Sequence, residues 1–153
     1  MREKTTLCSI CFNYSENNPC LICSNPKRNH SIICVVAKPQ DLQAIEKTNE
    51  YKGVYHILGG IIDSLENKSV EKLRIKELIN RIKNSKPSIQ EIIFGFDSDI
   101  SGETTVLYLT KLLKKLKPKL KLTRLARGLP MGSNLEYADQ ITLINALKER
   151  KEV

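Results

Sequence analysis

Four of the five cysteines fall in one run of 16 residues, Cys8-Ser-Ile-Cys11, eight intervening residues, then Cys20-Leu-Ile-Cys23. Each Cys-x-x-Cys pair can turn as a tight knuckle with both sulfurs on one side, and two knuckles complete a tetrahedral thiolate site with Zn–S distances of about 2.3 Å. Four protein ligands leave no position for water, so zinc in such a site is structural rather than catalytic. Two disulfides, a redox Cys-x-x-Cys and an iron–sulfur cluster are the competing uses of paired cysteines. Two matched pairs this close together favour zinc. Cys34, inside the apolar run Ile32-Ile33-Cys34-Val35-Val36, reads instead as an inert core thiol.

The 153 residues are enough to bury a real core. The longest apolar stretches, Ser31–Ala37 and Tyr55–Ile62, are far shorter than the roughly 18 residues of a membrane span, and the amino terminus leads into no secretory signal. The expectation is a cytoplasmic protein with no membrane segment. Composition changes near Ser31, from Asn, Pro, Ser and Lys to β-branched residues, which divides the chain into a finger over 1–30, an α/β domain over 31–128 and a C-terminal segment with a helix over 129–153. In the middle part strand-like and helix-like segments alternate, the pattern of a mainly parallel sheet flanked by helices. Strands are expected at Ile32–Val36, Val54–Leu58, Glu91–Phe96 and from Leu120 through Arg124. Helices are expected at Gln40–Thr48, Glu71–Lys83, Glu103–Leu116 and Asp139–Arg150, the second on the spacing of Ile75, Leu78, Ile79 and Ile82.

Three places in this half could carry chemistry. Asp97-Ser98-Asp99 follows the third strand, where the carboxyl ends of parallel strands make a ligand crevice, and two carboxylates there could hold Mg²⁺. The competing reading is a turn, with Ser101 capping the next helix. The end of the first strand, Val36-Ala37-Lys38, is where a further acid would complete a metal site, and it has none. The third place is Lys111–Arg127, which carries eight positive charges and no acid, as many as the net charge of +8. Clustered cations neutralise phosphates without reading sequence, so Lys117, Lys119, Lys121, Arg124 and Arg127 are candidate DNA contacts, with Lys27 and Arg28 as a smaller group. The competing reading is a solvated helix face, the better one for Lys111, Lys114 and Lys115. His30 and His56 lack a metal-ligand pattern, and Tyr51, Tyr55 and Tyr137 are too scattered to argue for a base-stacking platform.

Taken together, the Cys8–Cys23 knuckles, Asn25-Pro26-Lys27-Arg28, Tyr55-His56-Ile57-Leu58-Gly59-Gly60, Gly102-Glu103-x-Thr105, Ala126-Arg127-Gly128-Leu129-Pro130 and Leu135-Glu136-Tyr137-Ala138-Asp139 resemble the bacterial RecR family of recombination proteins. The likeness runs from Leu7 to Arg150. It implies a four-cysteine zinc finger followed by a Toprim domain, the α/β module shared with topoisomerases and primases. It also implies a non-catalytic role: such proteins act with RecO, and in some settings RecF, to help load the RecA recombinase onto gapped or single-stranded DNA, as dimers and ring-like tetramers.

Two departures from the family pattern matter. Members usually carry a helix-hairpin-helix DNA-binding segment before the cysteines, and here Cys8 stands seven residues from Met1, so that segment is expected to be missing. Ala37 stands where the Toprim pattern usually has a glutamate, which leaves Asp97, Asp99 and Glu103 as a vestigial Mg²⁺ set, Glu103 being equally explained as a helix-start residue. The favoured reading is a DNA-repair scaffold that catalyses nothing. The alternative is a Mg²⁺-dependent Toprim nuclease or primase-like enzyme using Asp97 and Asp99.

Overall fold

The computed structural model describes residues 5–62 and 69–153. It opens with a two-stranded antiparallel ribbon, β1 (Thr6–Leu7) and β2 (Tyr14–Ser15), followed by a single helical turn, α1 (Leu21–Ser24). The α/β half then runs β3 (Asn29–Val36), α2 (Pro39–Glu46), β4 (Gly53–Ile57), α3 (Ser69–Lys72), α4 (Ile75–Asn84), β5 (Glu91–Gly95), α5 (Ile100–Leu116) and β6 (Lys121–Arg124). A short 3₁₀ turn at Leu135–Tyr137 and α6 (Gln140–Lys148) complete the chain. The four main strands form one sheet in the order β4-β3-β5-β6, and every neighbouring pair is parallel. This is the α/β architecture expected from the alternation of segments.

Alternation within β3 assigns its two faces. Ile33 and Val35 pack with Leu78 and Ile82 of α4 and Leu109 and Leu113 of α5, in a core that also takes Val54, Ile92 and Phe94. Cys34 and Val36 face the other way, with Tyr55, Ile57 and Leu42 of α2, and Phe12 of the finger leans on that second cluster. The chain therefore leaves β3 for one face and β5 for the other, and their carboxyl ends flank the point where the winding reverses.

Two helix boundaries differ from the sequence expectation, each for a local reason. The helix expected over Glu71–Lys83 is broken between α3 and α4. At the break the Arg74 N–H donates to the Leu58 carbonyl at 2.9 Å, just past β4, and is lost to a helix running on from α3, while the Arg74 carbonyl accepts from His56 Nε2 and from the Leu78 N–H that begins α4. At the next helix the cap is Asp99 rather than Ser101: the Asp99 carboxylate accepts from the Gly102 N–H at 2.7 Å. Glycine is needed there, since a Cβ on Gly102 would lie 1.9 Å from the Asp97 carbonyl oxygen. Cys34 is buried as expected, and burial pushes its thiol up to about 12. Among the described residues no helix is long and apolar enough to cross a membrane.

Candidate metal centre and strand-end crevice

Both knuckles form. The Sγ atoms of Cys8, Cys11, Cys20 and Cys23 all lie within 4.8 Å of one another, and all four residues are buried. A tetrahedron of Zn–S bonds requires sulfurs about 3.8 Å apart, and Cys11 Sγ and Cys20 Sγ stand at 3.6 Å. The backbone is already turned toward thiolate: N–H groups of Ile10 and Cys20 point at Cys8 Sγ at 3.5 and 3.3 Å, and that of Cys23 points at Cys20 Sγ at 3.4 Å. Crowding splits the thiols. Cys11 is pushed down to about 5, first by the hydrogen bond from Cys23, while the same bond raises Cys23 and burial raises Cys20. A divalent cation stabilises all four as thiolates, and zinc is the ion this donor set fits.

The finger is fastened to the exposed edge of the sheet. Cys11 offers its carbonyl to the Ile57 N–H of β4 at 2.8 Å, which satisfies an edge strand that would otherwise lack a partner there. Arg81 of α4 completes the seam: its Nη1 donates to the carbonyls of Tyr55 and Ile10. Burial lowers the Arg81 pKa, and the cysteines Cys23, Cys11 and Cys8 oppose that shift. A guanidinium beside four thiolates and one Zn²⁺, a group of net charge −2, is placed to offset part of that charge. Nothing in the sequence marked Arg81 except its position three residues after Leu78, on the inner stripe of α4.

Arg28, a DNA-contact candidate from sequence, is spent inside the fold. Its Nη1 donates to Glu46 Oε1 at 2.8 Å and to the carbonyls of Tyr51 and Gly53, and its Nη2 donates to Glu46 Oε2. Tyr55 Oη donates to the same carboxylate at 2.7 Å. The Arg28 guanidinium holds Glu46 below the ordinary glutamate range. Tyr51 and Tyr55 meet edge to face at 5.0 Å inside this network, so they form no exposed stacking surface. His30 Nε2 pairs with the Asn25 carbonyl, and His56 is fully buried with its Nδ1 unpartnered among the described residues. Burial pushes His56 down to about 4, so it is the neutral Nε2–H tautomer that donates to the Arg74 carbonyl.

The basic run Lys111–Arg127 is divided between opposite ends of the sheet. Lys119 and Lys121 are exposed where β6 begins, at the amino edge, on the same side as exposed Lys27 just before β3. Lys117 lies there too, but its Nζ donates to Ser88 Oγ and the Ile89 carbonyl, both at 2.7 Å. Arg124 and Arg127 are at the carboxyl edge, where both grip Glu103 at 2.8 and 3.0 Å, and Arg127 also reaches Glu149 beyond α6. The three acids of the vestigial set thus have different surroundings. Asp97 is exposed at the end of β5, Asp99 is the cap of α5, and Glu103 is neutralised by two arginines.

Known families match in the same order along the chain. The RecR four-cysteine zinc finger domain matches residues 5–25, the Toprim domain 31–126 and the RecR C-terminal region 128–151. The recombination protein RecR of Moorella thermoacetica is 48% identical over 152 residues, covering 99% of this chain and 74% of that protein. That of a Synechococcus strain is 50% identical over 145 residues, 95% of this chain and 72% of its own length. That of Bifidobacterium adolescentis is 45% identical over 153 residues, 100% of this chain and 74% of its own. With a zinc-binding cysteine finger docked on the edge of a parallel Toprim sheet, and relatives of this identity over nearly its full length, the chain belongs to the RecR family of recombination proteins.

Proposed function

We propose that this protein is a non-catalytic scaffold of DNA recombination and repair, cytoplasmic, acting with RecO and RecF on gapped or single-stranded DNA to help load RecA. The observation that carries the non-catalytic part is the fate of the acids at the strand ends. Two-metal or one-metal phosphodiester chemistry needs several open carboxylates converging on one ion. Here Ala37 offers a methyl group, the Asp99 carboxylate holds the start of α5 and Glu103 is taken by Arg124 and Arg127, which leaves Asp97 alone.

The division into a finger over 1–30, a Toprim domain over 31–128 and a C-terminal segment over 129–153 gives each part a task. Zinc on Cys8, Cys11, Cys20 and Cys23 fixes the finger. Exposed Lys27, Lys119 and Lys121 supply phosphate contacts at the amino edge of the sheet, while the Arg28 charge is answered by Glu46 and the Lys117 ammonium is tied to Ser88 Oγ and the Ile89 carbonyl, which leaves both out of the interface. Leu135, Tyr137, Ile141 and Leu147 of the C-terminal segment are exposed, which supports contact between copies in a dimer or tetramer.

A mobility-shift titration of labelled gapped DNA, with Mg²⁺ and with or without purified RecO, tests the reading. Intact strands and a slower complex that requires RecO are expected. Strands shortened in a Mg²⁺-dependent way, and protected by Asp97→Ala, would overturn it in favour of a Toprim nuclease.

A further inference from the structure

The finger roofs a crevice of about 520 Å³ above the carboxyl ends of β3 and β4. That is within the range of roughly 300–1,000 Å³ typical of small-molecule sites. It also lies beside the point where the winding of the sheet reverses, the usual ligand position in open α/β folds. Its two walls have different chemistry. Leu7, Phe12 and Tyr14 of the finger make one wall, and Tyr14 is 62% exposed. Lys38 at the start of α2 and the Gly59-Gly60 turn make the other.

The second wall offers backbone amides. Gly59 donates to the Ala37 carbonyl, but the N–H groups of Gly60 and Ile61 donate to no acceptor among the described residues. Both glycines have positive φ, +90° and +152°, which turns the backbone so that consecutive amides can face one anion. The Arg74 guanidinium lies 4.3 Å over the Phe12 ring and adds a second cation to the lining. Two acids balance these cations: Asp41, whose carboxylate accepts from the Lys38 N–H at 3.3 Å, and exposed Asp97. A neutral lining is unsuited to a bare polyanion. It suits a ligand with one phosphate, a flat ring and neutral hydrogen-bonding groups.

We propose that this crevice binds one nucleotide unit, with the base against Tyr14 and Leu7 and the phosphate held by Lys38 and the Gly60 and Ile61 amides. Asp97 stands at the far side as an acceptor for a sugar hydroxyl or a base amino group. Ala37 is part of the fit: the methyl group leaves the floor uncharged, where a carboxylate would repel the phosphate. The unit is either a free nucleotide or one residue of a single strand, and both present the same chemistry.

Calorimetric titration of the intact protein with dAMP, deoxyadenosine and inorganic phosphate tests this. Base and phosphate act together, so dAMP is expected to bind at least about tenfold tighter than either part alone. Tyr14→Ala and Lys38→Ala should each weaken dAMP by about tenfold, Tyr14→Phe should retain binding, and Lys115→Ala should change nothing. Tyr14 and Lys38 are exposed, so the variants keep the fold, which circular dichroism checks. Competition against a labelled oligodeoxyadenylate separates the sources: displacement by dAMP assigns the crevice to a strand residue, and binding without displacement assigns it to the free nucleotide. No saturable dAMP binding, or equal affinity in the wild type and both alanine variants, would overturn the proposal. The RecO-dependent complex on gapped DNA does not involve dAMP, so either result can fail without the other.

Discussion

The finger and the Toprim sheet hold themselves together by opposite means. In the finger the fully buried side chains are the four cysteines, while Tyr14 and Leu21 point outward, because some twenty residues cannot enclose an apolar centre. In the sheet half, Ile33, Val35, Leu58, Leu78, Ile92, Leu109 and Leu113 are excluded from solvent on a single face. The first region is organised by ligand geometry and the second by burial. They meet along one seam, made by the Cys11 carbonyl, the Arg81 guanidinium and the Arg28–Glu46 pair.

The sharpest way to break this contrast is to take the metal away. Structural zinc contributes about 10–16 kcal/mol of apparent binding free energy to small fingers, so Cys11→Ser or a strong chelator should unfold residues 5–25. The sheet should survive, because its core contains none of the cysteine ligands. Amide spectra with a zinc-release assay read both parts at once, and loss of the sheet signals together with the finger would show that burial alone does not sustain it. The converse variant is Leu113→Ala. It removes a fully buried side chain of α5 and should cost about 2–5 kcal/mol of sheet stability with zinc content unchanged.

Acid should expose the seam at intermediate cost. His56, held at about 4 against an ordinary 6.5, binds fewer protons folded than unfolded, so its contribution is complete above pH 6.5 and is lost as pH falls toward 4. The difference corresponds to about 3 kcal/mol at most. Glu46, lowered first by its hydrogen bond with Arg28, acts in the same direction as pH drops through the carboxylate range. Melting temperature should therefore fall between pH 7 and 4.5. His56→Gln, which can still donate to the Arg74 carbonyl, should flatten that profile; a profile unchanged by the substitution would show that His56 does not carry the acid sensitivity.

Much of this was legible in the chain. Two Cys-x-x-Cys pairs at close spacing specify their cluster locally, and each expected strand lies within a few residues of an observed one, because continuous β-branched runs and period-3.6 stripes are local signals. What was not legible depends on pairing across the fold. No local pattern shows that the Leu58 carbonyl, just past β4, takes the Arg74 N–H and breaks a helix, or that Arg28 finds Glu46 eighteen positions away. Glu46 did carry a faint sign, a carboxylate four residues after Leu42 on the inner stripe of α2. The basic run is continuous in sequence, yet β6 passes through it and sets Lys119 and Lys121 at the opposite strand end from Arg124 and Arg127.

That division gives the smallest and most selective prediction. Lys121 is exposed at the amino edge of β6, and a surface substitution of this kind changes stability by no more than about 0.5 kcal/mol. If Lys121 neutralises a phosphate, Lys121→Ala should reduce the slope of log affinity against log salt by about 0.7–0.9, the value for one released counterion. Arg124, only three residues on, should behave differently, because its charge is already answered by Glu103 at 2.8 Å. Arg124→Ala should leave the salt slope unchanged and instead loosen the start of α5. Equal slopes for both variants would mean that the strand does not separate two functional edges, and that the run acts as the single cationic surface its sequence suggests.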